Sequence, residues 1–486
     1  MARNYLLITL DQFRGDCLSA AGHPVVRTPH LDELCANGVR LSRHYSQASP
    51  CGPGRASLYT GTYQMNHRVV ANGTPLDDRF DNIARVAVRA GLSPALFGYT
   101  DQSIDPRVTD GPEDPRLSSY EGVLPGFEAV LDLTGDYSPW LEWLAAKGHD
   151  VSAGHLALLA TEHERPADSS VSTFLCDRLL GWIDDREGPW FAHASFIRPH
   201  PPYSAAGEYS TMYDPSTVGA PIAPVSDPHP FHALMMALDV CSAPADPDDL
   251  ARMRAQYFGM ISEVDAQLGR IWAHLRARGM WDDTCIIVTA DHGEQLGDHG
   301  LREKLGYWEE SHHIVGIVRD PDRPAAHGTV VGEFTENIDI MPTLCEMLGV
   351  PVPAQCDGLP LTEFLEGREP EWWRDAAHWE YDWRFSWIGT DRYSWPRRRR
   401  PERSSLAVHR TRDHAYVQFG DGDWICFNLA TDPTWRTTTD DDAVVAAQAR
   451  AMLQWRMEHT DRTHTGFLVE RGGTGRWPDG VAWRAV

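Results

Sequence analysis

Lysine is nearly absent from this chain. Of 44 basic residues among 486, only Lys147 and Lys304 are lysines. Arginine supplies positive charge almost everywhere else, so a retained lysine points to a place that needs a compact ammonium able to give up a proton. Lys147, in Ala145-Ala146-Lys147-Gly148, has the setting of an exposed helix C-terminus. That leaves Lys304 as the informative one. Positive charge as a whole is scarce: 44 Lys and Arg face 69 Asp and Glu, a formal charge of −25. A broad nucleic-acid-binding face needs the opposite sign, and no such partner is expected. The single basic run, Trp395-Pro396-Arg397-Arg398-Arg399-Arg400-Pro401, reads as a solvated loop or one paired with acidic surface of another protomer. No run of about 18 apolar residues exists, which excludes a transmembrane helix, and no membrane partner is expected. Nine cysteines, odd in number and without a C-x-x-C pair, do not form the pattern of a disulfide framework. The N-terminus leads directly into the apolar run Tyr5–Leu10 without a signal-peptide pattern, so a cytoplasmic location is expected.

What is present is apolar enough, at 42%, to bury a sizeable core. Apolar, β-branched runs alternate with helical patterns, which predicts an α/β layered fold. The clearest strands are Tyr5–Leu10, Pro94–Gly98, Trp190–Phe196 and Cys285–Ala290. Each ends in a polar cluster: Asp11-Gln12, Tyr99-Thr100-Asp101, Arg198-Pro199-His200 and Asp291-His292. Ligands of open α/β sheets sit beyond the carboxyl ends of strands, so these clusters are expected to share one site. Asp339 to Thr343 opens a helix through Leu348, closed by Gly349 and Pro351. After about residue 370 the composition changes. Leu406–Val408, His414–Gly420 and Trp424–Leu429 read as short antiparallel strands with a turn at Asp421-Gly422, followed by a helix from about Ala443 to His459. The reading is a large α/β domain over 1–370 and a smaller α+β subdomain with its tail over 371–486.

The sharpest local signal is Cys51-Gly52-Pro53-Gly54-Arg55, followed by Leu58-Tyr59-Thr60-Gly61. Pro53 suits the first turn of a helix, which puts Cys51 at the helix N-terminus, where an anion is favoured. Arg55 adds a planar, permanently charged fork suited to sulfate or phosphate. The segment Arg198-Pro199-His200-Pro201-Pro202 is stiffened by its prolines, which fixes the aim of His200. Each residue also has an ordinary reading when taken alone. Asp11 could cap a turn, His292 could be a packed core histidine and Cys51 a buried, inert thiol. Glu294, Asp298 and His299 read as supporting or structural.

Cys51-x-Pro53-x-Arg55 with the trailing Leu-x-Thr-Gly resembles the signature of the formylglycine-dependent sulfatases of the alkaline phosphatase superfamily. Asp11-Gln12, Asp291-His292-Gly293-Glu294, Lys304, Asp339-Ile340-x-Pro342-Thr343-Leu344, Asp357-Gly358 and Asn428-Leu429-x-x-Asp432-Pro433 resemble further landmarks of that family. Gln12 stands where ordinary arylsulfatases carry Asp. Met65-Asn66-His67-Arg68, Asn72-Gly73-Thr74-Pro75-Leu76, Gly98-Tyr99-Thr100, Ile197 to Pro202 and the tail Trp455-Arg456 to Asp461-Arg462-Thr463 with Gly466 resemble the phosphonate monoester hydrolases. Asp101 departs from that branch, which carries a Thr near the Tyr.

The resemblance implies an alkaline-phosphatase-like central mixed β-sheet flanked by helices, with a short antiparallel sheet in the C-terminal part. It implies a hydrolase of sulfate or phosphonate monoesters, with phosphodiesters as promiscuous substrates, and formylglycine made from Cys51 by a transiently bound formylglycine-generating enzyme. One divalent cation, Mn, Ca or Mg, would be held by Asp11, Gln12, Cys51, Asp291 and His292. Arg55 would hold the hydrated aldehyde, Lys304 would contact the transferred group, and His200 or Lys304 would protonate the leaving group. Asn72, Tyr99 and Asp101 would touch a small anionic ester substrate, with an ionised Asp101 disfavouring dianions. A homo-oligomer is expected. The alternatives are a two-metal phosphatase or phosphomutase-type enzyme using unmodified Cys51, and an inactive binding protein that keeps the pocket.

Overall fold

The computed structural model describes residues 3–384 and 403–460. The Arg397–Arg400 run and the tail residues from Asp461 onward lie outside them. Among the described residues thirteen strands form two sheets. They are β1 (Asn4–Leu10), β2 (Val39–Tyr45), β3 (Pro94–Gly98), β4 (Glu128–Asp132), β5 (Phe191–Phe196), β6 (Thr284–Thr289), β7 (His313–Ile314), β8 (Gly316–Arg319), β9 (Thr329–Glu336), β10 (Ala377–Asp382), β11 (Ser405–Arg410), β12 (His414–Phe419) and β13 (Trp424–Asn428). The large sheet has nine strands in the order β4-β3-β5-β1-β6-β8-β2-β7, with β9 also pairing β2. From β4 through β6 every pairing is parallel; β8 then runs antiparallel to β6 and to β2. The sheet is therefore mixed, as expected.

β1 shows why its sequence is a continuous apolar run. Leu6, Ile8 and Leu10 pack on one face with Phe174 of the helix Val171–Asp184 and Phe258 and Trp272 of the 31-residue helix Pro247–Ala277. Tyr5 and Leu7 pack on the other with Ala56 and Leu58 of the helix Cys51–Thr60 and Met341 of the helix Ile340–Leu348. A strand covered on both faces has no polar side to alternate with. The order β3-β5-β1-β6 also places the carboxyl ends of four neighbouring parallel strands side by side.

The small sheet, β10-β11-β12-β13, is antiparallel throughout. Trp379 of β10 stacks on Tyr45 of β2 at 5.6 Å, and Glu380 donates its N–H to the Gln47 carbonyl at 2.9 Å. The other face carries the helix Asp442–Glu458, through Met452 and Trp455. Among the described residues no helix is long and apolar enough to cross a membrane.

Candidate active site

Residues 11–12, 99–101, 198–200 and 291–292 begin within two residues of the ends of β1, β3, β5 and β6, so the sheet order gathers them at one edge, the row of carboxyl ends of these strands. Into that edge points the N-terminus of the helix Cys51–Thr60, every residue of which is buried. Gly54 permits the approach: a Cβ there would lie 2.4 Å from the Asp291 carbonyl oxygen and 3.0 Å from that of Ala48.

Asp11, Cys51, Asp291 and His292 bring their ligand atoms within 4.8 Å of one another, all buried. His292 Nε2 is 3.2 Å from Cys51 Sγ, 3.8 Å from Asp11 Oδ1 and 3.7 Å from Asp291 Oδ2. Asp11 Oδ1 is buried with no hydrogen-bond donor, a costly state for a carboxylate oxygen that a cation would relieve. Carboxylate oxygens with one imidazole suit a divalent metal, so the donor set fits. Burial, and then Asp11 with Asp291 and Asp101, push the Cys51 thiol well above its ordinary range against the opposing pull of Lys304.

Gln12 sits at a left-handed φ of 68°. Its N–H donates to Asp291 Oδ1 at 3.1 Å, and its carbonyl accepts from the Tyr257 hydroxyl at 2.6 Å. Its side-chain oxygen accepts from Lys304 Nζ at 2.7 Å, while its amide nitrogen donates to Glu294. Arg55 lies fully buried behind the cluster. It donates from Nε to Asp291 at 2.9 Å, from Nη2 to Asp11 at 3.1 Å and from Nη1 to Ser195 Oγ at 2.8 Å. Its ring neighbour Tyr99 donates a 2.6 Å hydrogen bond to Asp11 Oδ2. Arg55 and Tyr99 thus orient the two carboxylates.

His200 and Lys304 are in contact, with Nε2 and Nζ 2.8 Å apart. His200 Nδ1 faces the Pro201 carbonyl at 2.6 Å, which can only accept, so Nδ1 carries the proton and Nε2 accepts from Lys304. Burial and the Lys304 charge lower the pKa of His200. Burial alone would lower that of Lys304 too, but Cys51, Glu303, Asp11 and Asp291 around it raise it. Asn72 is exposed and accepts from the Gly52 N–H at 2.8 Å, which ties its loop to the helix start. Asp101, at φ 52°, has its carboxylate 3.8 Å from Arg55 Nε. Burial, with Asp11, Glu121 and Asp291 and against Arg55, pushes Asp101 up to about 7.

Glu294, read from sequence as a supporting residue, holds that place in the structure. Glu294 accepts from the N–H groups of Leu296 and Glu303 at 2.7 and 2.8 Å and from the Tyr203 hydroxyl at 3.0 Å, which shapes the loop that carries Lys304. Ser195, Tyr257 and Glu162 gave no local signal, because only the third dimension brings them near.

A mixed sheet with this edge and this cluster defines a class, and the comparisons agree: residues 3–350 match the Sulfatase family model, so the chain belongs to the sulfatase family and is a hydrolase. Residues 297–461 match the model described as N-sulphoglucosamine sulphohydrolase, C-terminal. Among particular relatives, the chain is 35% identical to the multifunctional alkaline phosphatase superfamily protein PehA of Trinickia caryophylli, covering 96% of this chain and 97% of that one. It is 26% identical to an arylsulfatase of Clostridium perfringens over 78% of this chain and 82% of that one. The solved phosphonate monoester hydrolase of Agrobacterium radiobacter superposes with a TM-score of 0.89 at 40% identity, covering 98% of this chain and 100% of that one.

Proposed function

We propose that the protein hydrolyses monoanionic sulfate and phosphonate monoesters, and phosphodiesters more slowly, through a formylglycine made from Cys51. The observation that carries this reading is the meeting of Cys51 Sγ, at a buried helix N-terminus, with His292, Asp11 and Asp291 within 4.8 Å. Among the described residues this is the one place where three or more His, Cys, Asp or Glu side chains converge so closely, which favours one cation over the two-metal alternative. Asp11, Gln12, Asp291, His292 and the residue at 51 would hold the cation. When bound, it supplies Lewis acidity at the hydrated aldehyde and screens charge on the substrate oxygens.

The residues of the chain then do the following work. One hydroxyl of the hydrated aldehyde at 51, having released its proton to solvent, attacks sulfur or phosphorus, and the bond from that centre to the ester oxygen breaks. Lys304 starts as the ammonium and yields a proton to that oxygen, while His200 Nε2 accepts another of its N–H groups and holds it in place. The second hydroxyl of the diol then gives its proton back to the Lys304 amine, the C–O bond to the sulfate or phosphonate breaks with release of that anion, and the aldehyde returns and adds water to restore the diol. Arg55 keeps Asp11 and Asp291 in register throughout, and Asn72 and Asp101 flank the entrance to the helix N-terminus. Maturation requires a formylglycine-generating enzyme.

Mass spectrometry of the Cys51 peptide should find it about 18 Da lighter than encoded. Elemental analysis should give one divalent cation per chain, lost with activity in Asp291→Ala. A protein fully active with only thiol at 51, or one holding two cations, contradicts the reading. A panel of aryl sulfates, phosphonate monoesters, phosphodiesters and phosphate monoesters then ranks the substrates.

A further inference from the structure

Behind His200 lies a buried charged group that the chemistry above does not use. Arg198 is fully buried, as is Glu162. Arg198 Nε donates to Glu162 Oε2 at 2.9 Å, and Nη2 donates to the same oxygen at 2.5 Å and to the Leu159 carbonyl at 2.9 Å. The remaining nitrogen, Nη1, donates to the carbonyls of His200 and Pro202, both at 2.8 Å. Glu162 Oε1 accepts the N–H of Val171 at 2.8 Å, so both its oxygens are fixed by the chain around the helix Val171–Asp184. The guanidinium therefore bridges a rigid anchor and the two carbonyls on either side of Pro201.

The carbonyl between them, that of Pro201, is the one that accepts from His200 Nδ1. Its direction is set by the peptide planes on either side, and Arg198 holds one oxygen of each neighbour. If Pro201 turned, His200 Nδ1 would lose its acceptor and the ring could carry its proton on Nε2. Nε2 would then confront the Lys304 ammonium donor to donor. A buried ion pair is a poor source of net stability, but it is a good source of a single geometry.

We propose that Arg198 and Glu162 are positioning residues for leaving-group protonation: they clamp the His200–Pro202 turn so that His200 presents an unprotonated Nε2 to Lys304. The inference rests on the reading of His200 and Lys304 as the acid side of the site. It makes a prediction a purely structural pair would not. Damage to the clamp should harm substrates in proportion to how much their leaving group needs a proton.

The test is a series of aryl sulfates and phosphonates of increasing leaving-group pKa, run on mature, metal-loaded enzyme. Glu162→Gln keeps the shape and removes the charge. It should lower kcat/KM at least tenfold for the poorest leaving group and less than threefold for an activated nitrophenol. In a His200→Ala background it should add less than a twofold further effect. Because Glu162→Gln leaves Arg198 without its counter-charge, the paired variant Glu162→Leu with Arg198→Met is measured beside it; it strands no charge and should show the same selective loss. Equal loss for all leaving groups, full additivity with His200→Ala, or full activity of the paired variant on poor leaving groups would overturn the inference. If His200→Ala itself proves indifferent to the leaving group, the acid assignment falls and this inference falls with it. If His200→Ala is selective and Glu162→Gln is not, the clamp alone is refuted.

Discussion

At the scale of residues, a site that binds anions carries a carboxylate close to its centre. Asp101 sits 3.8 Å from Arg55, and its charge bears on how much negative charge a substrate brings. Sulfate monoesters, phosphonate monoesters and phosphodiesters carry one negative charge near neutrality, whereas phosphate monoesters carry nearly two. At an effective dielectric of ~20, one extra charge about 6 Å away costs roughly 2–3 kcal/mol. At pH 8, above the value of about 7 to which burial pushes Asp101, the wild type should prefer monoanions. Asp101→Thr should raise kcat/KM for phosphate monoesters relative to phosphonate monoesters about tenfold or more at that pH. An unchanged ratio would show that the carboxylate does not act on the bound ester. The residue scale is also where sequence reading was most and least informative. Asp11, Asp291 and His292 stood out because each follows a strand and resembles a family landmark, and Cys51 because Cys51-x-Pro53-x-Arg55 resembles the family signature. The direction of the Tyr99 hydroxyl, on Asp11 rather than free for substrate, was not readable, since a phenol at a strand end can point either way. Glu162 was invisible, since it lies in a 3-10 turn, Glu162–Glu164, far along the chain from Arg198.

At the scale of elements, the four strands read from sequence are β1, β3, β5 and β6, each within a residue of its observed ends, and they are neighbours in the sheet. Their continuous apolar character comes from burial on both faces, which is why they stood out. β2 did not, because Arg40, Ser42 and Arg43 interrupt it toward the sheet's far side. The helix Pro247–Ala277 was missed although its signal is present: Asp246 caps it, Pro247 opens it, and Tyr257, Ile261, Val264, Leu268, Ile271 and Leu275 repeat at helical spacing. In the proposed chemistry the central element is the helix Cys51–Thr60, and its docking depends on a missing side chain at 54. Gly54→Ala would put a methyl 2.4 Å from the Asp291 carbonyl oxygen, backbone that cannot yield cheaply. The helix must retreat from the strand end that bears Asp291 and His292, which would hold the proposed cation. Gly54→Ala is therefore expected to lose at least a hundredfold in kcat/KM and to bind the cation substoichiometrically, while its far-ultraviolet circular dichroism stays that of the wild type. Normal metal content with normal activity would show that the close approach is dispensable.

At the scale of the whole molecule, burial of titratable groups sets how stability responds to pH, and two sets of groups pull in opposite directions. Burial lowers His44, His232 and His312 to about 4 each. These imidazoles stay neutral in the folded chain while the unfolded chain protonates them below about 6.5. The unfolded state then binds more protons, and stability falls as pH drops from about 6.5 toward 4. Burial raises Glu263, beside Glu162, Arg198, Ser170 and Ser172, to about 7. It raises Asp265, which accepts the N–H groups of His30 and Leu31, to about 7 as well. For these carboxylates the folded state binds more protons between about 4.5 and 7, so their contribution falls as pH rises through that window and levels off above it. The net curve should climb from pH 4 to about 6.5, driven by the larger number of imidazoles, and flatten by pH 7. Glu263→Gln separates the two sets, since an amide needs no proton to stay neutral beside Glu162. The difference in Tm between Glu263→Gln and wild type should be near zero at pH 4.5, grow in favour of the variant through pH 7, and stay constant above it. The full shift is worth up to about 3 kcal/mol. A difference that does not change between pH 4.5 and 8 would mean that Glu263 ionises in the folded protein as it does in the unfolded chain. The long helix would then carry a paired charge at its centre rather than a retained proton.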